Sequence, residues 1–183
     1  MINEYCNEAD AIYEGKSVKL MPLEGIEKIV IEGESFEAFN TSGGCATMCE
    51  TYENQVENLS YKTIRYPGHV NHMKFLFNDL HLKKNRDVLE KLFDKEVPRT
   101  KNDVIIFFVK VIGMIDGVLQ EKTYLRKIYG NDKLSAIQLT TASGVCSVLK
   151  MYLDGKMKGN GFVKQESLSW QDFLDNDFGK VYA

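Results

Sequence analysis

No glycine-rich turn of the Gly-x-Gly-x-x-Gly kind occurs anywhere in this 183-residue chain. Without one there is no backbone cradle for a pyrophosphate at a helix N-terminus, which excludes an independent dinucleotide-binding unit. Excess positive charge is missing too: 23 lysines and arginines face 26 acidic residues, for a net charge of −3. That balance makes no electrostatic case for nucleic acid or an anionic membrane as partner. Long apolar runs are also lacking. The longest, Val104 to Met114, is broken by Lys110 and is too short to span a bilayer. The polar, acidic start (Met-Ile-Asn-Glu-Tyr-Cys-Asn-Glu) does not read as a signal peptide, so the expected location is cytoplasmic. The four cysteines (Cys6, Cys45, Cys49, Cys146) follow no disulfide-framework rhythm, and no nucleophile triad or metal cluster accompanies them.

What is present is an ordinary globular composition, 44% apolar and 27% charged, enough to bury one core. We expect a single domain over residues 1–183, with 162–183 as a C-terminal tail. Residues 17–21 alternate like a short strand. Ile26–Ile31 and Ser35–Phe39 flank Glu32-Gly33-Glu34 as a hairpin. Asn40-Thr41-Ser42-Gly43-Gly44 breaks the second strand ahead of a short helix, Cys45–Glu53. A strand follows over Leu59–Tyr66. Beyond Pro67-Gly68 the apolar spacing predicts helices over His69–Leu80 and Asn85–Lys95. Asp103–Ile112 reads as a strand covered on both faces, and Asp116-Gly117 turns it into Val118–Tyr129. A long helix over Ser135–Asp154 and a short one over Ser169–Asp175 complete the pattern. Paired strands with helices between them predict a mixed α+β fold, a largely antiparallel sheet flanked by helices, without regular βαβ alternation.

The densest chemical signal is the corner Lys62-Thr-Ile-Arg-Tyr-Pro-Gly-His69. Arg65 and Tyr66 end a strand where a helix is about to begin, a position from which α/β proteins reach ligands. A planar guanidinium there suits a carboxylate or phosphate; the competing role is a salt bridge tying neighbouring helices. Cys45 and Cys49, one helical turn apart, read as buried thiols in preference to metal ligands, because no second ligand pair follows at usable spacing. His69 and His72 read as a helix start and a solvated side chain. Thr140, Thr141, Ser143 and Gly144 form a small polar patch inside a helix, with Gly144 alone costing about 1 kcal/mol against alanine. Either close helix packing or a ligand would account for it.

Four stretches resemble the C-terminal domain of the saccharopine dehydrogenase family: Glu37-Ala-Phe-Asn-Thr-Ser-Gly-Gly44, Tyr61-Lys-Thr-Ile-Arg-Tyr-Pro-Gly-His69, Ala136-Ile-Gln-Leu-Thr-Thr-Ala-Ser-Gly-Val-Cys146 and Gly161-Phe-Val-Lys-Gln-Glu166. The resemblance covers almost the whole chain. It implies a fold similar to the C-terminal domain of glyceraldehyde-3-phosphate dehydrogenase-like dehydrogenases. It also implies a role as the substrate-binding and dimerisation part of an NAD(P)-dependent oxidoreductase of lysine metabolism. By that resemblance Arg65 and Tyr66 meet a substrate carboxylate, Thr41, Ser42 and Gly43 form a polar loop at the cleft, and Thr140 faces it from the long helix. Implied partners are an amino-acid-derived carboxylate substrate, a second copy in a homodimer, and a Rossmann domain of the same polypeptide. The family's glycine-rich turn is absent, so we expect these residues to bind no NAD(P) and to be inactive alone. The alternative is a stand-alone ligand-binding or interaction module.

Overall fold

The computed structural model describes residues 2–157, 159 and 161–183. Its backbone forms two compact units, Met1–Pro98 and Arg99–Ala183. The first opens with a short helix, α1 (Ile2–Cys6), followed by the hairpin β1 (Ala9–Tyr13) and β2 (Lys16–Leu20). A three-stranded antiparallel sheet then orders β3 (Glu27–Ile31), β4 (Glu34–Asn40) and β5 (Lys62–Arg65) with β4 in the centre. The helix α2 (Met48–Tyr52) lies between β4 and β5 in the chain, and α3 (His69–Lys74) and α4 (Arg86–Glu96) follow them. The second unit holds the long hairpin β6 (Val104–Ile115) and β7 (Val118–Tyr129), the helix α5 (Ala136–Leu153) and the short α6 (Trp170–Leu174). Every strand pairing is antiparallel, so the class is α+β. The strands divide among three small sheets, where the sequence pattern suggested one.

Three hairpins close with two-residue loops whose central residues both have positive φ: Glu14-Gly15 at 48° and 80°, Glu32-Gly33 at 51° and 83°, Asp116-Gly117 at 51° and 76°. That backbone matches the twist of the flanking strands, and glycine takes the second position without steric cost. The two turns read from sequence are where they were expected. The Glu14-Gly15 turn and β1 escaped notice, because Ala-Asp-Ala-Ile-Tyr is too short and mixed to show a period of two. The predicted helix over His69–Leu80 is continuous in space, but its second half, Phe75–Asp79, widens into a π-helical turn.

The main core of the first unit joins Tyr5 and Cys6 of α1, Leu23, Phe39 of β4, Val70 of α3, and Phe77 and Leu89 from the helices beyond. Phe39 is fully buried at its centre, with the Tyr5 ring edge-on at 5.8 Å. A smaller cluster gathers Ile12, Cys45 and Cys49 under Tyr52, Val56 and Leu59.

In the second unit Asp103 accepts hydrogen bonds from the backbone N–H groups of Ala136 (2.6 Å) and Ile137 (3.2 Å), and Ser135 with Gln138 forms a reciprocal cap. These fix the start of α5. The small polar face of α5 packs against the C-terminal segment. Tyr182 donates its hydroxyl to the Thr140 carbonyl (2.6 Å), and Ser147 donates to the Phe173 carbonyl (2.9 Å). A Cβ on Gly144 would stand 3.0 Å from the Tyr182 hydroxyl. Packing therefore accounts for the glycine, although its neighbour is the C-terminal segment and not a sheet.

One expectation fails. The β6 strand is half-buried only over Val104–Phe107, and from Phe108 to Ile115 it is exposed.

Phe39→Ala should destabilise the first unit by about 3–5 kcal/mol, the usual cost of emptying a filled aromatic site. Chemical denaturation followed by far-ultraviolet circular dichroism measures it.

Candidate functional site

The alternation of β4 and β5 sorts their side chains. Glu37 pairs across the ladder with Arg65, and Phe39 with Thr63, so these four share one face. Thr41, just past the end of β4, continues that row and shares a hydrogen bond with the Thr63 hydroxyl at 2.7 Å, buried from solvent. α1 and α3 cover the same face. Tyr5 is almost wholly buried there, and its hydroxyl meets His69 Nε2 at 3.0 Å. The His69 ring stacks on Phe39 with centroids 6.1 Å apart.

Glu37 decides how this corner is used. Its two carboxylate oxygens accept from the backbone N–H groups of Gly68 (3.0 Å) and Val70 (2.6 Å). Gly68 takes φ of +95° as the chain swings from β5 into α3, a conformation that suits glycine. The acid directly opposite Arg65 thus caps the next helix. Arg65 itself is half-buried, donates to the Ile64 carbonyl at 2.9 Å, and forms no ion pair among the described residues. The salt-bridge alternative for Arg65 has no acidic partner here. Burial pushes the Tyr5 phenol up, while the positive charge of Arg65 pulls against it.

The loop of Thr41, Ser42 and Gly43 is tied to α1, since the Ser42 N–H donates to the Glu4 carbonyl at 3.1 Å. Gly43 has φ of +89°. At Gly44 any Cβ would run into the Tyr61 ring, 1.9 Å away. The double glycine is therefore needed for one positive φ and one close approach. Tyr66 goes the other way. It is exposed and lies against Phe36, on the face opposite Arg65, with ring centroids 5.4 Å apart. Thr140 belongs to the second unit, is buried, and donates its hydroxyl to the Ala136 carbonyl of its own helix at 2.8 Å. The polar loop and Arg65 thus share one side of the first unit's sheet, and Tyr66 lies on the other side.

Two members of the cluster were not legible beforehand. Tyr5 lies in a short opening helix with no periodic signal, and the spacing of His69 and His72 suggests a helix start or a ligand pair, not a ring packed on Phe39. Burial is the main reason the His69 imidazole titrates below its ordinary range; the charges of Arg65 and His72 add to this, and Glu37 opposes it. Elsewhere, burial pushes the Cys45 thiol up to about 12, with the adjacent Cys49 adding to the effect. A thiol that resists ionisation is a poor nucleophile, which weighs against a cysteine hydrolase. No group of three or more metal-ligating side chains is found among the described residues, and no helix among them is long and apolar enough to cross a membrane.

The first unit thus carries a half-buried arginine, without an ion pair among the described residues, at a strand-to-helix corner of an α+β fold. Comparison with protein families assigns the chain. The family model described as the saccharopine dehydrogenase C-terminal domain matches residues 1–176. The chain belongs to that family.

The depressed His69 pKa has a consequence for stability. Between the folded value and the ordinary imidazole value of 6.5 the unfolded chain binds more protons than the folded one, so stability falls as pH drops below about 6.5. His69→Gln should flatten that slope. Denaturation midpoints measured from pH 7.5 down to pH 5, conditions chosen to bracket the ~6.5 reference value, test this.

Proposed function

We propose that this chain is the substrate-binding and dimerisation part of an NAD(P)-dependent, saccharopine dehydrogenase-like oxidoreductase of lysine metabolism, working in the cytoplasm. The observation that carries the reading is Arg65: a partly buried cation whose cross-strand acid, Glu37, is bound to two backbone N–H groups instead. A permanent charge left without a counter-ion in a partly dehydrated corner favours a ligand carboxylate, which its planar fork can bind through two parallel hydrogen bonds. Thr41, Ser42 and Gly43 border that position. Tyr66 and Thr140 join the substrate side in this proposal on the strength of the family resemblance. The substrate is an amino-acid-derived carboxylate. With no glycine-rich cradle in these residues, the nicotinamide and the hydride transfer belong to a Rossmann domain of the same polypeptide, and the residues here are inactive alone.

The second copy in the proposed homodimer docks on the β6–β7 hairpin. Val111, Met114, Val118 and Leu119 are all more than half exposed, Leu119 at 68%. An apolar arm of this kind gains from being covered. Light scattering at raised concentration should give a dimer mass, and Leu119→Asp should return it to the monomer. A monomer from the unaltered chain would remove dimerisation.

In an enzyme that carries this domain with its cofactor domain, Arg65→Ala should cost about 2–3 kcal/mol of substrate binding, through loss of a charge-assisted pair. Steady-state kinetics would show it as a raised KM for the carboxylate substrate. Unchanged kinetics would take Arg65 out of the site.

A further inference from the structure

α1 is barely more than one helical turn, too short to persist without tertiary contacts. Three of its residues supply them. Asn3 accepts from the Arg86 guanidinium at 2.8 Å on the exposed side, and the Glu4 carbonyl receives the Ser42 N–H at 3.1 Å. Tyr5, 1% exposed, packs edge-on against Phe39 and Phe77, with its hydroxyl 3.0 Å from His69 Nε2. No other acceptor for the phenol hydrogen is found among the described residues. If Nε2 carried the ring hydrogen, the phenol hydrogen would be buried without a partner. The Tyr5 hydroxyl therefore donates to Nε2, and the neutral ring of the half-buried His69 keeps its hydrogen on Nδ1.

We propose that α1 is a pH-sensitive latch on the loop of Thr41, Ser42 and Gly43, closed by the Tyr5 hydroxyl on neutral His69 and released when that ring is protonated. An imidazolium carries a hydrogen on both nitrogens and cannot accept. Turning the bond round, so that Nε2 donates to the phenol oxygen, strands the phenol hydrogen where water does not reach. Charge adds to the conflict. Facing His69 are Tyr5 on α1, Glu37 on β4, Arg65 on β5 and His72 on its own helix. Glu37, the one anion among these four, already holds the N–H groups of Gly68 and Val70. The conflict is relieved where α1 lifts away, because the ring then regains water and its ordinary value of 6.5. Glu4 adjoins Tyr5 in the chain, so lifting α1 also withdraws the carbonyl that holds Ser42. As pH falls below about 6.5 the open form gains on the closed one by up to about tenfold per pH unit, until the closed ring protonates as well. The link from this latch to ligand binding rests on the carboxylate reading of Arg65; the latch itself does not.

The test is hydrogen exchange of the full chain, followed amide by amide by nuclear magnetic resonance from about pH 7.5 to about pH 5 and referred to intrinsic rates. Protection of the Ser42 N–H should fall by about tenfold over that range. The Ile12 N–H, bonded to the Leu59 carbonyl at 2.8 Å in the smaller cluster, should keep its protection, because the unit stays folded. His69→Gln offers an amide oxygen to the phenol at every pH, so its Ser42 protection should stay level. Tyr5→Phe keeps the ring and removes the hydroxyl, and Ser42 should be about tenfold less protected already at about pH 7.5. Nitrogen-15 shifts of the His69 ring need no variant. At high pH they should place the hydrogen on Nδ1, and the ring should titrate where the Ser42 decline levels off. A neutral ring protonated at Nε2, a Ser42 protection that does not change with pH, or Ile12 losing protection in step with Ser42 overturns the latch. Glutarate affinity of the unaltered chain, divided by that of His69→Gln at the same pH to cancel the ligand's own titration, should fall together with Ser42 protection. Glutarate that fails to bind at any pH removes the carboxylate reading of Arg65 and leaves the latch standing on the exchange data.

Discussion

The carboxylate of Glu37 is the interaction on which the first unit turns. It stands in the central strand of the three-stranded sheet, nearly buried, and receives the N–H groups of Gly68 and Val70 where the chain leaves β5 for α3. A buried charge is tolerable only when it is well bonded, and two backbone donors at a helix start meet that demand. Without this cap the Pro67-Gly68 corner would have no fixed entry into α3. Val70 and Phe77, carried on that helix and its continuation, would then have no fixed seat in the core around Phe39. The same bond also explains why Arg65 is left over. Its natural partner across the ladder is already engaged.

From that constraint the cluster follows in order. α3 seated by Glu37 brings His69 over Phe39, and His69 in turn holds the Tyr5 hydroxyl of α1. Thr41 and Thr63 close the row beneath by satisfying each other's hydroxyls out of reach of water. The loop of Ser42 and Gly43 is pinned to α1 by a backbone hydrogen bond. Glu37, His69, Phe39 and Tyr5 are thus parts of one network, so a change at Tyr5 or His69 bears on the seating of α1 and α3.

The second unit obeys a different economy of contacts. Asp103 and the Ser135 cap start α5, and the polar stripe of that helix exists to receive Tyr182, Phe173 and Asn176 of the C-terminal segment. Only the base of the long hairpin is covered; Tyr124 meets Trp170 there, and Phe107 meets Tyr182. Beyond that point the strands are regular because their ladder hydrogen bonds are complete, twelve register pairs in all, and not because side chains are buried.

The sequence by itself determined the α+β class, two of the three tight hairpins, the capped start of α5 and the family, because each is written in local signals: turn residues with positive φ, alternation, a Ser-x-x-Gln box and a contiguous motif. Arg65 was legible for the same reason, at the end of a strand before Pro-Gly. What only the tertiary structure decided is what Arg65 faces. Tyr5 lies sixty residues before it, in a helix with no periodicity to announce it, and Glu37 could have been read equally well as its salt-bridge partner. Alternation shows which residues share a strand face, but not which of two donors a carboxylate will choose. That choice was made by the chain reversal at Gly68, which presents backbone N–H groups to Glu37 and leaves the guanidinium with the Ile64 carbonyl.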